Sequence, residues 1–220
     1  MASAEPPVSA DRPTVVLLHG LGRTGRSMAR LQRRIEAAGH PTWRHTYPSR
    51  QRPLAELAAS VRDALRAELG DRPLSAVTHS MGGIIARFLS EHVAFERIVM
   101  LAPPNHGSRV ARGLQDWALF RRGWGPAGKD MAAPRDWPPV PPSVGVIAGT
   151  AGPTAGNPPS WLLAALGLLR GLEHDGTVAV DEARVDHVPF ATVPASHTWI
   201  MDHPETVRLT LRFLETGGFE

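Results

Sequence analysis

The chain is predicted to be an α/β protein, a six-stranded, mainly parallel sheet with helices on both faces and a lid-like excursion, and three observations carry that reading. Short apolar runs alternate with segments of helical periodicity through the first hundred residues, the pattern of strands joined by crossover helices. The runs are apolar throughout instead of on one side only, as strands covered on both faces are. With 220 residues, 42% of them hydrophobic, the chain suffices for one core without staples.

Residues 1–12 are rich in Ala, Pro and Ser, without a basic start or an apolar run. They are expected to form a disordered tail carrying no signal peptide, which makes a cytoplasmic location the default. Residues 13–220 are read as one domain. Residues 14–18 are the first strand. Met28, Leu31, Ile35 and Ala38 follow at helical spacing, and Gly39 ends that helix. Residues 42–47 form a shorter strand. Leu54, Leu57, Ala58, Val61, Leu65 and Leu69 mark an amphipathic helix closed by Gly70. A strand at 73–78, a helix at 81–91 and a strand at 97–102 come next.

Residues 103–143 break this rhythm, with six prolines between Pro126 and Pro142 and tryptophans at 117, 124 and 137. Such a stretch inside a compact domain reads as a lid-like insertion. The sheet resumes at 144–150, an almost wholly apolar run spans 161–169, and 190–193 is the last strand. The final helix is expected to begin at Asp202, whose spacing to Glu205 suits a capping box ahead of Val207, Leu211 and Leu214.

Composition removes several function classes. There is no cysteine, so disulfides and thiolate metal sites are excluded. The ten histidines show no His-Glu-x-x-His spacing, and neither a metal nor a cofactor is expected. The pI of 10.4 accompanies a net charge of only +3, because Lys129 is the sole lysine beside 23 arginines. Few groups then titrate between neutrality and strong base, and with no basic stripe interleaved with aromatics nucleic-acid binding is not indicated. No window reaches the ~18 apolar residues of a membrane span. Stable insertion is not expected, although the apolar runs at 114–124 and 161–169 suit an acyl pocket or contact with a lipid interface. The oligomeric state is left open.

Residues 78–82 read Thr-His-Ser-Met-Gly and lie between a strand and a helix. That places Ser80 on a strand-to-helix elbow, where a strained backbone pushes the hydroxyl out of the sheet. Ser80 is the candidate nucleophile. The elbow needs small residues around the serine, which Gly82 and Gly83 supply, while Thr78 stands where the motif usually has glycine.

With six strands and the elbow after the third, the chain resembles the α/β-hydrolase family, in the minimal form of small bacterial lipases and esterases, from about Thr14 to the end. The resemblance implies the chain order serine, acid, histidine, with the histidine between the last strand and the last helix. Of His106, His174, His187, His197 and His203, only His197 sits in that loop, in a Ser-His-Thr run similar to the one that carries the base in this family; His187 and His203 are weaker alternatives. Asp175, heading an Asp-Gly-Thr-Val run, occupies the implied position of the acid, although the same dipeptide suits a plain turn. Asp181 and Asp186 are the reserves. For the oxyanion, the N–H of Met81 follows the nucleophile, and His19-Gly20-Leu21-Gly22 resembles the family's His-Gly loop, which implies the Leu21 N–H as the second donor.

The run 103–108, Pro-Pro-Asn-His-Gly-Ser, looks like a Pro-x-x-Gly-Ser segment of bacterial lipases and moves the expectation toward carboxylic esters; Ser108 is also placed to cap a following helix through Val110 and Leu114. The expected activity is hydrolysis of a small-molecule acyl ester through Ser80, His197 and Asp175. Acyl transfer or thioester cleavage with the same triad, and a non-catalytic binding protein on the same scaffold, are the alternatives.

Overall fold

The computed structural model describes residues 12–153 and 158–220. Among them six strands join in one sheet: β1 (Thr14–Leu18), β2 (Thr42–Arg44), β3 (Leu74–His79), β4 (Phe95–Leu101), β5 (Val144–Gly149) and β6 (Phe190–Val193). The order is β2-β1-β3-β4-β5-β6 and every neighbouring pair is parallel. The helices are α1 (Ala29–Ala37), α2 (Leu54–Leu69), α3 (Met81–Leu89), α4 (Arg109–Leu114), α5 (Ala118–Ala132), α6 (Pro158–Ala165), α7 (Val180–Ala183) and α8 (Pro204–Thr216).

The continuous apolar strands serve two cores. Val15 and Leu17 of β1 pack with Leu31 and Ile35 of α1 and Leu209 and Phe213 of α8. Val16 and Leu18, pointing the other way, join Leu57 and Val61 of α2 and Ile84 and Ile85 of α3. Period-two alternation along each strand thus feeds both faces, and each such side chain contributes roughly 1.5–3 kcal/mol by leaving water.

Several boundaries differ from the sequence-based expectation. β2 stops at Arg44 instead of residue 47, because the chain then turns to hydrogen-bond the loop after β1: the Tyr47 N–H donates to His19 Nε2 at 3.3 Å. The last helix starts at Pro204, not Asp202. Proline suits the first helical position, its fixed φ and missing N–H costing nothing there, so His203 becomes the cap residue and Asp202 ends a preceding 3-10 turn, where it accepts from Arg30 at 3.2 Å. Glu205 pairs with Arg208 instead of closing a capping box. Residues 1–11 of the expected tail lie outside the described residues; Arg12 donates to the Ala38 carbonyl at 3.1 Å.

The proline-rich excursion carries two helices, α4 and α5. Ser108 caps α4 by accepting from the Ala111 N–H at 3.1 Å, and Val110, Phe120, Ala127 and Met131 enter the α2/α3 core. α5 kinks at Gly125, with φ of 64° ahead of Pro126. A Cβ there would fall 1.7 Å from the Arg50 carbonyl oxygen, so only glycine lets α5 rest on that backbone. Asp130 accepts from the Leu54 N–H at 2.9 Å, satisfying a free donor at the start of α2. Arg87 of α3 donates to the Pro138 and Asn105 carbonyls at 2.6 and 2.9 Å, tying both ends of the excursion to the body. No helix among the described residues is long and apolar enough to cross a membrane.

Candidate active site

Parallel strands end together, so the loops after β1, β3, β4, β5 and β6 converge on one edge of the sheet, at the point where the strand order reverses between β1 and β3. Ser80 follows β3 directly, with φ of 53° and ψ of −124°. For a non-glycine residue this region costs of order 1–3 kcal/mol. Its N–H donates to the Leu101 carbonyl and its own carbonyl accepts from Gly83, at 2.8 and 2.9 Å, which pins the turn. The close crossing explains Gly82, whose added Cβ would lie 2.5 Å from the Leu18 carbonyl oxygen. A Cβ at Gly83 would lie 3.0 Å from Pro103 Cβ and 3.3 Å from Met100 Sδ, so the elbow is close-packed on this side as well.

Asp175 lies in a tight turn bridged by His174 and Ala179. Its Oδ1 accepts from the Thr177 and Val178 N–H groups at 2.9 and 2.7 Å, and its Oδ2 is 2.7 Å from His197 Nδ1. The Asp-Gly turn and the carboxylate–imidazole pair are therefore one structure, in which the turn aims the carboxylate. The His197 N–H also donates to the Asp175 carbonyl at 2.9 Å. Asp175 is fully buried. Gly149 permits the approach, since a Cβ there would lie 2.5 Å from the Ala195 carbonyl oxygen and 2.8 Å from Asp175 Cβ.

Ser80 and His197 line one cleft together with Gly20, Leu21, Thr177, Trp124 and Met131. Among the described residues, neither His187, which meets the Val140 carbonyl, nor His203 lines it, nor do Asp181 and Asp186, nor Trp161, Leu163, Leu166 or Leu169 of the apolar run. In that run Leu163 and Leu169 are buried in the core and Trp161 and Leu166 are exposed.

The loop after β1 is held from beneath. His19, fully buried, donates from Nδ1 to the Gly20 carbonyl at 2.9 Å while Nε2 accepts from Tyr47, which defines the neutral Nδ1–H tautomer. The Tyr47 hydroxyl donates to the His19 carbonyl, and its ring stacks on His19 at 4.0 Å. Ser49 accepts from the Gly22 N–H at 3.0 Å. Because C=O and N–H of a trans peptide point oppositely, turning the Gly20 carbonyl toward His19 turns the Leu21 N–H away from it. Met81 opens α3, so its N–H has no acceptor within that helix.

His79, missed by sequence reasoning although it stands next to Ser80, donates from Nε2 to the His197 carbonyl at 3.0 Å, with its ring 4.7 Å from that of His197. Tyr47, Ser49 and Arg23 were likewise not singled out. The partners of Tyr47 and Ser49 lie far off in sequence, and the one available signal was that Tyr47 is the only tyrosine.

Burial holds His19 to a pKa of about 4, and holds His79 well below 6.5, with the charges of His197 and Arg23 adding to burial. Between pH 4 and 6.5 the unfolded chain binds a proton that folded His19 refuses. Stability is therefore complete above pH 6.5, declines as pH falls toward 4, and levels off below, a loss on the order of 3 kcal/mol for His19 alone. Urea midpoints measured from pH 8 to pH 4 are expected to drop below pH 6.5; a midpoint constant down to pH 5 would contradict neutral buried histidines.

No family model and no curated protein matches this chain, but solved structures do. It is similar to the mature lipase BlEst2 of Bacillus licheniformis, with a TM-score of 0.74 at 20% identity over 97% of this chain and 96% of that one. Phospholipase PlaB of Legionella pneumophila matches with a TM-score of 0.66 at 18% identity, over 95% of this chain but only 60% of its own. The metagenomic carboxyl esterase MGS0156 matches with a TM-score of 0.60 at 19% identity, over 88% and 67%. At such identities the likeness is one of fold, and the chain has the α/β-hydrolase fold in a six-stranded form.

Proposed function

We propose that this chain hydrolyses carboxylic acyl esters through Ser80, His197 and Asp175. One observation carries the reading: a fully buried carboxylate holds Nδ1 of His197 at 2.7 Å in the cleft that Ser80 enters on a strained backbone. With the proton on Nδ1 shared toward Asp175, His197 Nε2 is left with a lone pair for the serine proton. Strain at Ser80 is what a binding module would have no reason to keep.

In the proposed sequence Ser80 Oγ attacks the acyl carbon and its proton passes to His197 Nε2. The carbonyl electrons move to oxygen, where the Leu21 and Met81 N–H groups receive the charge; one such donor is commonly worth about 3 kcal/mol. Collapse expels the alcohol, protonated by His197, and leaves an acyl-enzyme. Water then attacks with His197 again as base, and the acid leaves as Ser80 regains its proton. The cleft holds about 220 Å³, below the roughly 300–1,000 Å³ of sites for drug-sized ligands, which favours short acyl groups and an esterase over a long-chain lipase.

A p-nitrophenyl ester series from acetate to palmitate, with fluorophosphonate labelling followed by peptide mass mapping, tests this. Hydrolysis peaking at short chains and a single adduct on Ser80 are expected, with water outcompeting added alcohol or thiol acceptors. No turnover and no adduct would overturn the proposal in favour of a binding role, and faster transfer to an acceptor would reassign the reaction to acyl transfer.

A further inference from the structure

Two arginines of this chain are held below the usual guanidinium pKa by burial, Arg23 and Arg87, and they differ in one respect. Arg87 is satisfied by two carbonyls. Arg23, half-buried, makes no side-chain hydrogen bond or ion pair with any described residue; Asp202, whose charge acts on it, is bonded to Arg30 instead. A planar fork of five donors left open in a partly dry setting is a receptor for an anion.

Its position gives that receptor a use. Arg23 lines the Ser80 cleft three residues beyond Gly20, and it also lines an adjoining groove that shares Gly22, Arg50 and Gly123 with the cleft and continues to Arg122. Arg23, Arg50 and Arg122 therefore border one continuous path away from the nucleophile. Among the described residues that line cleft and groove, none is acidic. Three cations thus border the path that substrate must take, and none of them forms an ion pair with a described residue. Elsewhere Arg62, Arg109 and Arg208 are paired with Asp63, Asp181 and Glu205.

We infer that the substrate is an anionic acyl ester, whose short acyl group enters the Ser80 cleft while a phosphate or carboxylate elsewhere on the molecule is bound along the Arg23–Arg50–Arg122 groove, with Arg23 as the specificity-determining residue. The inference rests on the ester-hydrolase reading above. Charge-assisted, bidentate contacts of this type are the stronger class of hydrogen bond, and the walls of cleft and groove among the described residues carry no acid to compete for the arginines.

The test compares kcat/KM for matched pairs: 1-butyrylglycerol against 1-butyrylglycerol 3-phosphate, and p-nitrophenyl butyrate against the p-nitrophenyl monoester of glutaric acid. In the wild type at low salt the anionic member of at least one pair is expected to be preferred about tenfold or more, and the pair that responds identifies phosphate or carboxylate as the anion. The ratio is expected to collapse about tenfold in Arg23→Gln, to be partly restored in Arg23→Lys, and to shrink in Arg122→Gln, whose exposed site makes misfolding no explanation. Equal loss on both members of a pair in Arg23→Gln, with the ratio unchanged, would give Arg23 a merely structural role and overturn the inference, as would a wild type that prefers the neutral esters. Turnover of the neutral esters in that case leaves the hydrolase reading standing; absence of turnover on all four, together with no fluorophosphonate adduct, overturns both.

Discussion

Ser80→Ala is expected to lower kcat for p-nitrophenyl esters by about 10⁴-fold or more while leaving the unfolding midpoint essentially unchanged. The side chain makes no capping bond to α3, so its removal deprives the fold of nothing, whereas the proposed chemistry loses its nucleophile. Ser80→Gly separates the two effects further. The φ of 53° is strained for serine and ordinary for glycine, so this variant should be equally inactive yet more stable by about 1 kcal/mol, the lower end of the strain such a conformation stores. Paired kinetics and urea unfolding would show it. Residual activity within tenfold of wild type in both variants would remove Ser80 from the mechanism, and a glycine variant less stable than the alanine one would mean that the elbow conformation is not strained.

The fold was legible because its strands are apolar on both faces and its helices on one, so that each element announces itself locally. The helix at residues 54–69 has its apolar residues on one face and a glycine at its end, and the structure ends it where that glycine stands. The loops bearing Ser80, Asp175 and His197 could be located because each follows a strand that the pattern marks. Where the reading erred, a residue distant in sequence had intervened. Residues 45–47 have the composition of a strand, but Tyr47 leaves the sheet to hold His19. Asp202 and Glu205 have capping-box spacing, but Arg30 and Arg208 take the two carboxylates and Pro204 sets the helix start. Prolines made residues 103–143 look irregular, yet Asp130, Arg87 and the Gly125 kink pack a helical segment onto the body.

The supporting residues of the site were the least legible part. Nothing in the local sequence distinguishes a histidine that bonds a carbonyl 118 positions away, as His79 does, from one that faces solvent. Nor does composition separate Arg23, open toward the cleft, from the 22 other arginines. Such roles arise only when five strand ends are brought to one edge. Sequence periodicity specifies which residues are buried, and the sheet order decides which of them meet.

Asp175→Asn is the second variant with a large expected effect, about 10⁴-fold in kcat, and the geometry gives the reason. In the wild type Oδ1 is occupied by the Thr177 and Val178 N–H groups and Oδ2 accepts from His197 Nδ1. Asparagine keeps its carbonyl toward the two backbone donors, because turning it over would set N–H against N–H. Its amide NH₂ then faces Nδ1, which must accept, and the imidazole proton moves to Nε2. His197 is left in place but with the wrong tautomer, unable to take the proton of Ser80. The fold should survive, since the turn retains its acceptor, so kcat and the rate of fluorophosphonate inactivation are expected to fall together at an unaltered unfolding midpoint. Asp181→Asn serves as the control: its carboxylate lies on the surface against Arg109 at 2.6 and 2.9 Å, and its loss should change kcat less than twofold. If the Asp175 variant kept more than a tenth of the activity, or the Asp181 variant lost as much as Asp175→Asn, the carboxylate that orients His197 during catalysis would not be Asp175.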